Sequence, residues 1–169
     1  KNLKLTMYGN NVLDDISFSL EPDQHLAIIG EAGSGKTSLA KALSGKLFYK
    51  GSVETNNRQK VVMVEQHYHF KTLSNTKGFY YQQRYNSTES NDCATVLDEL
   101  NQISTDREYI NELLSNLQLT QRRNDPLLHL SSGEHKRFQL IKALSSKPGI
   151  LILDNPFTGL DVISRENLG

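Results

Sequence analysis

Leu26-Ala27-Ile28-Ile29-Gly30-Glu31-Ala32-Gly33-Ser34-Gly35-Lys36-Thr37 is an apolar run closed by a glycine-rich turn and a Lys-Thr pair, and the rest of the chain is read outward from it. The part from Gly30 to Thr37 matches G-x-x-x-x-G-K-[ST], the pattern of a loop that cradles phosphate. Glycines let the backbone wrap tightly enough for its N–H groups to converge on phosphate oxygens, and a helix starting near Lys36 adds its positive dipole end. In such a loop the Lys36 ammonium reaches the β- and γ-phosphates and the Thr37 hydroxyl ligates Mg²⁺. Both flanks are of the required type. Leu26 to Ile29 reads as a strand buried on both faces of a parallel sheet. Thr37 to Leu43 reads as a helix with Leu39, Ala40 and Leu43 on one side and a stop at Gly45.

Kinases, GTPases and many ATPases share that loop, so the choice among them lies further along. Ile150-Leu151-Ile152-Leu153-Asp154 is an apolar strand ending in a carboxylate. That arrangement sets an acid beside the Mg²⁺ of a phosphate loop, although alone it reads equally as a buried strand with a solvated end. Leu130-Ser131-Ser132-Gly133-Glu134 opens a helix with small polar residues. The segment suits N–H and hydroxyl contacts to phosphate, and it also suits ordinary serine capping.

Elsewhere, Leu3 to Tyr8 and Ile16 to Leu20 read as strands of an antiparallel layer around a Gly9-Asn10-Asn11 turn, and Val61 to Val64 as a second buried strand. Gln66 to Asp92 is aromatic and polar with little periodicity and reads as a long surface excursion. Its Phe79, Tyr80, Tyr81, Arg84 and Tyr85 either pack it down or form a docking surface. Helical spacing returns over Thr95–Leu100, over Arg107–Leu117 with Ile110, Leu113, Leu114 and Leu117 on one stripe, and over Ser131–Leu144. His67 and His69 have no third ligand in view, which argues against zinc. With 169 residues, 37% of them hydrophobic, the chain fits one globular domain. Lys plus Arg and Asp plus Glu balance at 19 each, which argues against a nucleic-acid partner. One cysteine, Cys93, makes no internal disulfide. No stretch approaches the ~20 apolar residues of a membrane helix.

Taken in order, the phosphate loop, a segment like L-S-G-G-Q, the strand with its aspartate and Gly159-Leu160-Asp161 resemble the ATP-binding cassette (ABC) family over essentially the whole chain. The resemblance implies an α/β P-loop NTPase with a parallel sheet core, an antiparallel β layer and a helical subdomain. Residues 1–65 and 145–169 would form the ATP-binding core, and about 66–144 the glutamine loop and helical signature subdomain. The implied cofactors are ATP and Mg²⁺, held by Gly30, Glu31, Ala32, Gly33, Ser34, Gly35, Lys36 and Thr37, with Asp154 on the metal. Gln66 matches the glutamine that contacts Mg²⁺ and the attacking water. Tyr8 sits where the family stacks an aromatic on adenine, the other reading being a strand aromatic packed in the sheet layer. Because family members pair head to tail, Ser131 and Gly133 would contact the γ-phosphate held by a second cassette, whether in a homodimer or a tandem chain, and Asp161 would lie at that interface. A transmembrane permease is the further partner implied, with a cytoplasmic location at the inner face of the membrane.

The chain also departs from the pattern. Asn155 stands where the family has the glutamate that activates water; an amide cannot take that proton, and losing a positioned base costs ~10²–10⁴ in rate, so weak hydrolysis at this site is expected. Ser132 and Glu134 replace a glycine and the glutamine of the signature, while Arg137 keeps the basic residue that follows. The Asp154-Asn155-Pro156-Phe157 wording resembles the tandem, transmembrane-free proteins of the molybdate-transport and photorepair group. The last residue, Gly169, precedes the family's switch histidine, so a C-terminally incomplete domain is expected. Energising transport is the primary expectation. The alternatives are a soluble tandem ATPase in regulation, nucleic-acid or ribosome-related work, and a non-hydrolysing ATP-sensing module.

Overall fold

The chain first reverses at Tyr8 and Gly9, whose φ values of 51° and 80° are the two left-handed centres of a tight hairpin turn. In the computed structural model, which describes residues 1–55, 60–66, 69–71, 78–80 and 94–156, this turn joins β1 (Leu3–Met7) to β2 (Asn10–Ile16). The expected turn at Gly9-Asn10-Asn11 and strand at Ile16–Leu20 are therefore corrected. Pairing starts at Met7 and Asn10, and two irregularities bring Leu5 opposite Leu13 and Leu3 opposite Ile16. Those bulges turn Leu3, Leu5 and Leu13 into the core. Beyond Ile16, which ends β2 opposite Leu3, the alternation up to Leu20 pairs with no strand among the described residues, and Ser17 instead accepts a hydrogen bond from the Asn2 amide at 2.7 Å.

Residues 1–63 and 149–154 form one compact unit, and residues 64–148 with 155–169 form another. In the first, α1 (Lys36–Leu43) lays Leu39 and Ala42 against Leu3, Leu5 and Leu13. Gly45, at φ 74°, ends the helix region as the sequence predicts. Both expected apolar strands β3 (Val61–Val64) and β6 (Ile150–Leu153) form and are hydrogen-bonded neighbours. Leu26–Ile29 is different. It forms no strand, Ile29 is 91% exposed, and Leu26 and Ile28 are exposed as well. A strand buried on both faces needs neighbours that ladder its N–H and C=O groups. None pairs with this segment among the described residues.

The second unit is helical. α2 (Val96–Asn101), α3 (Arg107–Asn116) and α4 (Ser132–Ser145) enclose a core of Val96, Leu100, Ile110, Leu114, Phe138 and Ile141. The three helices match the spacing read from the sequence, with Thr95 and Ser131 acting as N-caps rather than first helical residues. The stretch read as a bare surface excursion carries a short antiparallel pair, β4 (His69–Lys71) with β5 (Gly78–Tyr80). Phe70, Phe79 and Tyr80 are strand-favouring types, so aromatic content outweighed the missing alternation there. His67, Tyr81, Arg84, Tyr85 and Cys93 lie outside the described residues. The molecule is thus an α/β fold with a parallel sheet core, an antiparallel layer and a helical part.

Candidate functional site

Gly35 is the N-cap of α1, with φ 91° and no side-chain cap, and no acidic residue sits in the first turn. The other long helices differ: α4 opens on a Ser131–Glu134 capping box and α3 on Asp106. The α1 terminus thus keeps its first-turn amides and its dipole end for something other than a protein side chain. Glycine is required at 35 twice over, since a Cβ would lie 2.9 Å from Leu13 Cδ2 and 3.1 Å from the Val12 carbonyl, in a left-handed backbone. Gly33 is also left-handed, at φ 83°. Glu31, Ala32, Gly33 and Ser34 are exposed, and the turn closes through the Ser34 amide donating to the Glu31 carbonyl at 3.2 Å. A Cβ on Gly30 would meet Ser34 Oγ at 3.0 Å. Lys36 Nζ folds over the loop and donates to the carbonyls of Gly30 at 2.8 Å and Glu31 at 2.6 Å. An ammonium held by loop carbonyls is placed to transfer those bonds to an anion bound in the same loop.

At the end of β6, Asp154 is buried, and Thr37 Oγ1 donates to its carboxylate, lying 3.1 Å from Oδ1 and 3.0 Å from Oδ2. Residues 117 apart in sequence thus meet at one hydroxyl. A hydroxyl and a carboxylate are hard oxygen donors that suit Mg²⁺, and one hydroxyl proton leaves the carboxylate with lone pairs to spare. The donor set fits the metal that the loop implies.

A sequence model of the ABC transporter family matches residues 13–158, from β2 through the phosphate loop and past Asp154. The chain belongs to that family. An energy-coupling factor transporter ATP-binding protein from Fusobacterium nucleatum is 29% identical over 99% of this chain and 64% of its own. An uncharacterized ABC transporter ATP-binding protein from Schizosaccharomyces pombe is 29% identical over 91% of this chain and 34% of its own. This ABC domain therefore spans about a third to two thirds of the length of these curated relatives. The solved structure of an ATP-binding subunit of an ABC transporter shares the fold, with a TM-score of 0.75 at 21% identity, covering 99% of this chain and 70% of that one. No helix among the described residues is long and apolar enough to cross a membrane.

The remaining predicted site residues of the ABC domain fall as follows. Tyr8 is 98% exposed in its turn, so the packed-aromatic reading does not hold. In the second unit, Asn155 Nδ2 donates to Gln66 Oε1 at 3.3 Å. Ser131 accepts from the Glu134 amide at 3.3 Å, and Glu134 Oε2 accepts from the Ser131 amide at 2.7 Å. The capping reading therefore describes the geometry, and the Ser131 hydroxyl is engaged within the box on both sides, accepting from the Glu134 amide and donating to the Glu134 carboxylate. Gly133 lies in the first turn of α4. Asp161 lies outside the described residues. Two residues make contacts that had no sequence signal. Arg122 reaches Glu134 at 2.9 Å and Asp125 at 3.0 Å. Partial burial pushes the Glu134 carboxyl up, but the Ser131 amide and hydroxyl and the Arg122 guanidinium together outweigh it and hold it below the usual carboxylate value. Lys136, on α4, is buried and donates to the Glu65 carbonyl at 3.0 Å.

Proposed function

We propose that this ABC domain binds Mg-ATP in its Gly30–Thr37 loop, closes with a second cassette over the nucleotides and thereby energises transport through a permease partner. The Thr37–Asp154 contact carries the reading, because it joins the two halves of a phosphate-and-metal site from opposite ends of the chain. The uncapped α1 terminus and the loop amides take the phosphates, Lys36 neutralises their charge, and Thr37 and Asp154 ligate the metal. Mg²⁺ held by Thr37 and Asp154 would neutralise phosphate charge. Gln66 joins the metal and water shell, and Tyr8 is free to stack on adenine. Ser131 and Gly133 contact a γ-phosphate held by the opposite cassette, the Ser131 hydroxyl turning from the Glu134 carboxylate to do so, with Asp161 at that interface. Asn155 has no proton-accepting group, so turnover at this site is weak, and the pair's competent site is the one whose own glutamate is present. The name of the Fusobacterium relative supports a transport role, and the work would take place at the cytoplasmic face of a membrane.

Lys36→Ala tests the site. Mg-ATP should raise the melting temperature of the wild-type chain and leave the variant unmoved; equal stabilisation of both would sink the assignment. A second reading, half of a tandem ATPase, is favoured by the Asp154-Asn155-Pro156-Phe157 wording. Recovery of the native protein with an integral membrane protein supports transport, and recovery in a soluble complex supports the tandem form.

A further inference from the structure

Lys136 is a charged side chain with only 4% of its surface exposed. An ammonium taken that far out of water costs several kcal/mol unless its protons find acceptors, so where it donates is informative. Its Nζ donates to the carbonyl of Glu65 at 3.0 Å, reaching back 71 residues. That carbonyl shares one planar peptide group with the N–H of Gln66, so holding the oxygen sets the plane from which the Gln66 side chain leaves. From the other side, Asn155 Nδ2 donates to Gln66 Oε1 at 3.3 Å. Gln66 is thus gripped through its backbone from α4 and through its side chain from Asn155. Helix α4 is a rigid root for the grip, with Phe138 and Ile141 fully buried on either side of the next turn. The same helix begins at Ser132 and carries Gly133 one turn before Lys136.

We propose that Lys136 is a positioning residue that ties the signature end of α4 to the glutamine loop, so that a displacement of the first α4 turn is passed to Gln66. The inference rests on the ATP-binding reading, since Gln66 and the signature acquire their roles there. A lysine whose methylenes merely fill the core would have no need of its terminal donor, and Lys136→Met separates the two cases by keeping the stem and removing the hydrogen bond.

The test is NMR on the full labelled chain, following the Glu65 carbonyl carbon, the Gln66 backbone and side-chain amides, Phe138 and Ile141 as helix controls, and Gly33 and Gly35 as reporters of Mg-ATP binding. In Lys136→Met the Glu65 and Gln66 signals should shift while Phe138 and Ile141 hold, and Lys136→Arg should restore them. Added Mg-ATP should shift Gly33, Gly35 and Gly133 in the wild type. At a dilution where the chain is monomeric, so that Gly133 meets no second cassette's nucleotide, the Gly133 shift should be lost in Lys136→Met and the other two kept. Unmoved Glu65 and Gln66 signals, or a retained Gly133 response, overturn the proposal. If Lys136→Met does not fold, Lys136→Leu, which also keeps an apolar stem without a donor, is read in the same way. Absence of any Gly33 or Gly35 shift in the wild type overturns the ATP reading instead, and the Glu65 and Gln66 signals still decide the role of Lys136.

Discussion

Asn155 differs from a glutamate in two ways that matter at once: it cannot accept a proton, and it tolerates its backbone. Its φ is 48°, in the left-handed region where Asn is at ease and a longer side chain costs ~1–2 kcal/mol. Asn155→Glu in the intact protein should therefore raise ATP turnover by on the order of 10²-fold or more while lowering stability by about 1 kcal/mol. Phosphate release and thermal melting measure the two effects separately, and a variant with no gain in turnover would mean that the missing base is not what limits this site. Gly35 makes the opposite case, in which no side chain is allowed. Gly35→Ala places a Cβ 2.9 Å from Leu13 Cδ2 at φ 91° and should destabilise by ~1–3 kcal/mol in a denaturant titration, with weakened nucleotide binding. The Gly35 requirement was legible in the sequence because the loop motif specifies a backbone shape. The left-handed turn at Asn155 and the grip of Lys136 on Glu65 were not, because neither φ nor a partner distant in sequence is written in local residue types.

Helix α4 opens on a capping box at the same residues to which the proposed function gives a phosphate contact. Its Ser131–Glu134 box satisfies two orphan donors, so Ser131→Ala should cost ~1 kcal/mol. Glu134→Gln keeps the box but loses the Arg122 ion pair, a small loss because the guanidinium is exposed to solvent. The folded Glu134 carboxyl titrates below 4.5, so the folded state binds that proton less readily than the unfolded chain. Its stabilisation is complete above the unfolded value and lost as pH falls through the lowered one. The melting difference between wild type and Glu134→Gln should accordingly persist at neutral pH and close below pH 4.5; a gap that instead widens in acid would contradict the ion pair. Helices were easy to read because each carries its own periodicity and its own cap, as Thr95–Asp98 and Ile110–Leu114 do. Strands were harder because half of their definition lies in a neighbour. Leu26–Ile29 has the composition of a core strand and finds no partner among the described residues, whereas the β1–β2 register turns on bulges that no alternation announces. An exposed apolar segment invites association. Ile29→Lys, at a position 91% exposed, should reduce self-association of the chain in light scattering without lowering its melting temperature.

For the molecule as a whole, the phosphate loop and Asp154 belong to one compact unit while Gln66 and the signature helix belong to the other, joined by a chain that passes between them more than once. Ligand binding to the folded state stabilises it by RT ln(1 + [L]/Kd), about 2.7 kcal/mol at a hundredfold excess over Kd. For a domain of this size each kcal/mol moves the melting temperature by ~2–4 °C, so saturating Mg-ATP should raise it by on the order of 5–10 °C. The metal decides how much of that appears. On the proposed Mg-ATP reading, without Mg²⁺ the buried Asp154 carboxylate and the nucleotide phosphates would face one another as like charges, with Thr37 still bonded to Asp154. ATP with EDTA should thus give a small shift, and Mg²⁺ should restore the full one. Asp154→Asn removes the repulsion and weakens the metal site together, so the variant should respond to ATP almost equally with and without Mg²⁺. A wild-type shift that ignores Mg²⁺ would place the nucleotide away from Thr37 and Asp154. A magnesium dependence that survives in Asp154→Asn would assign the metal to other ligands.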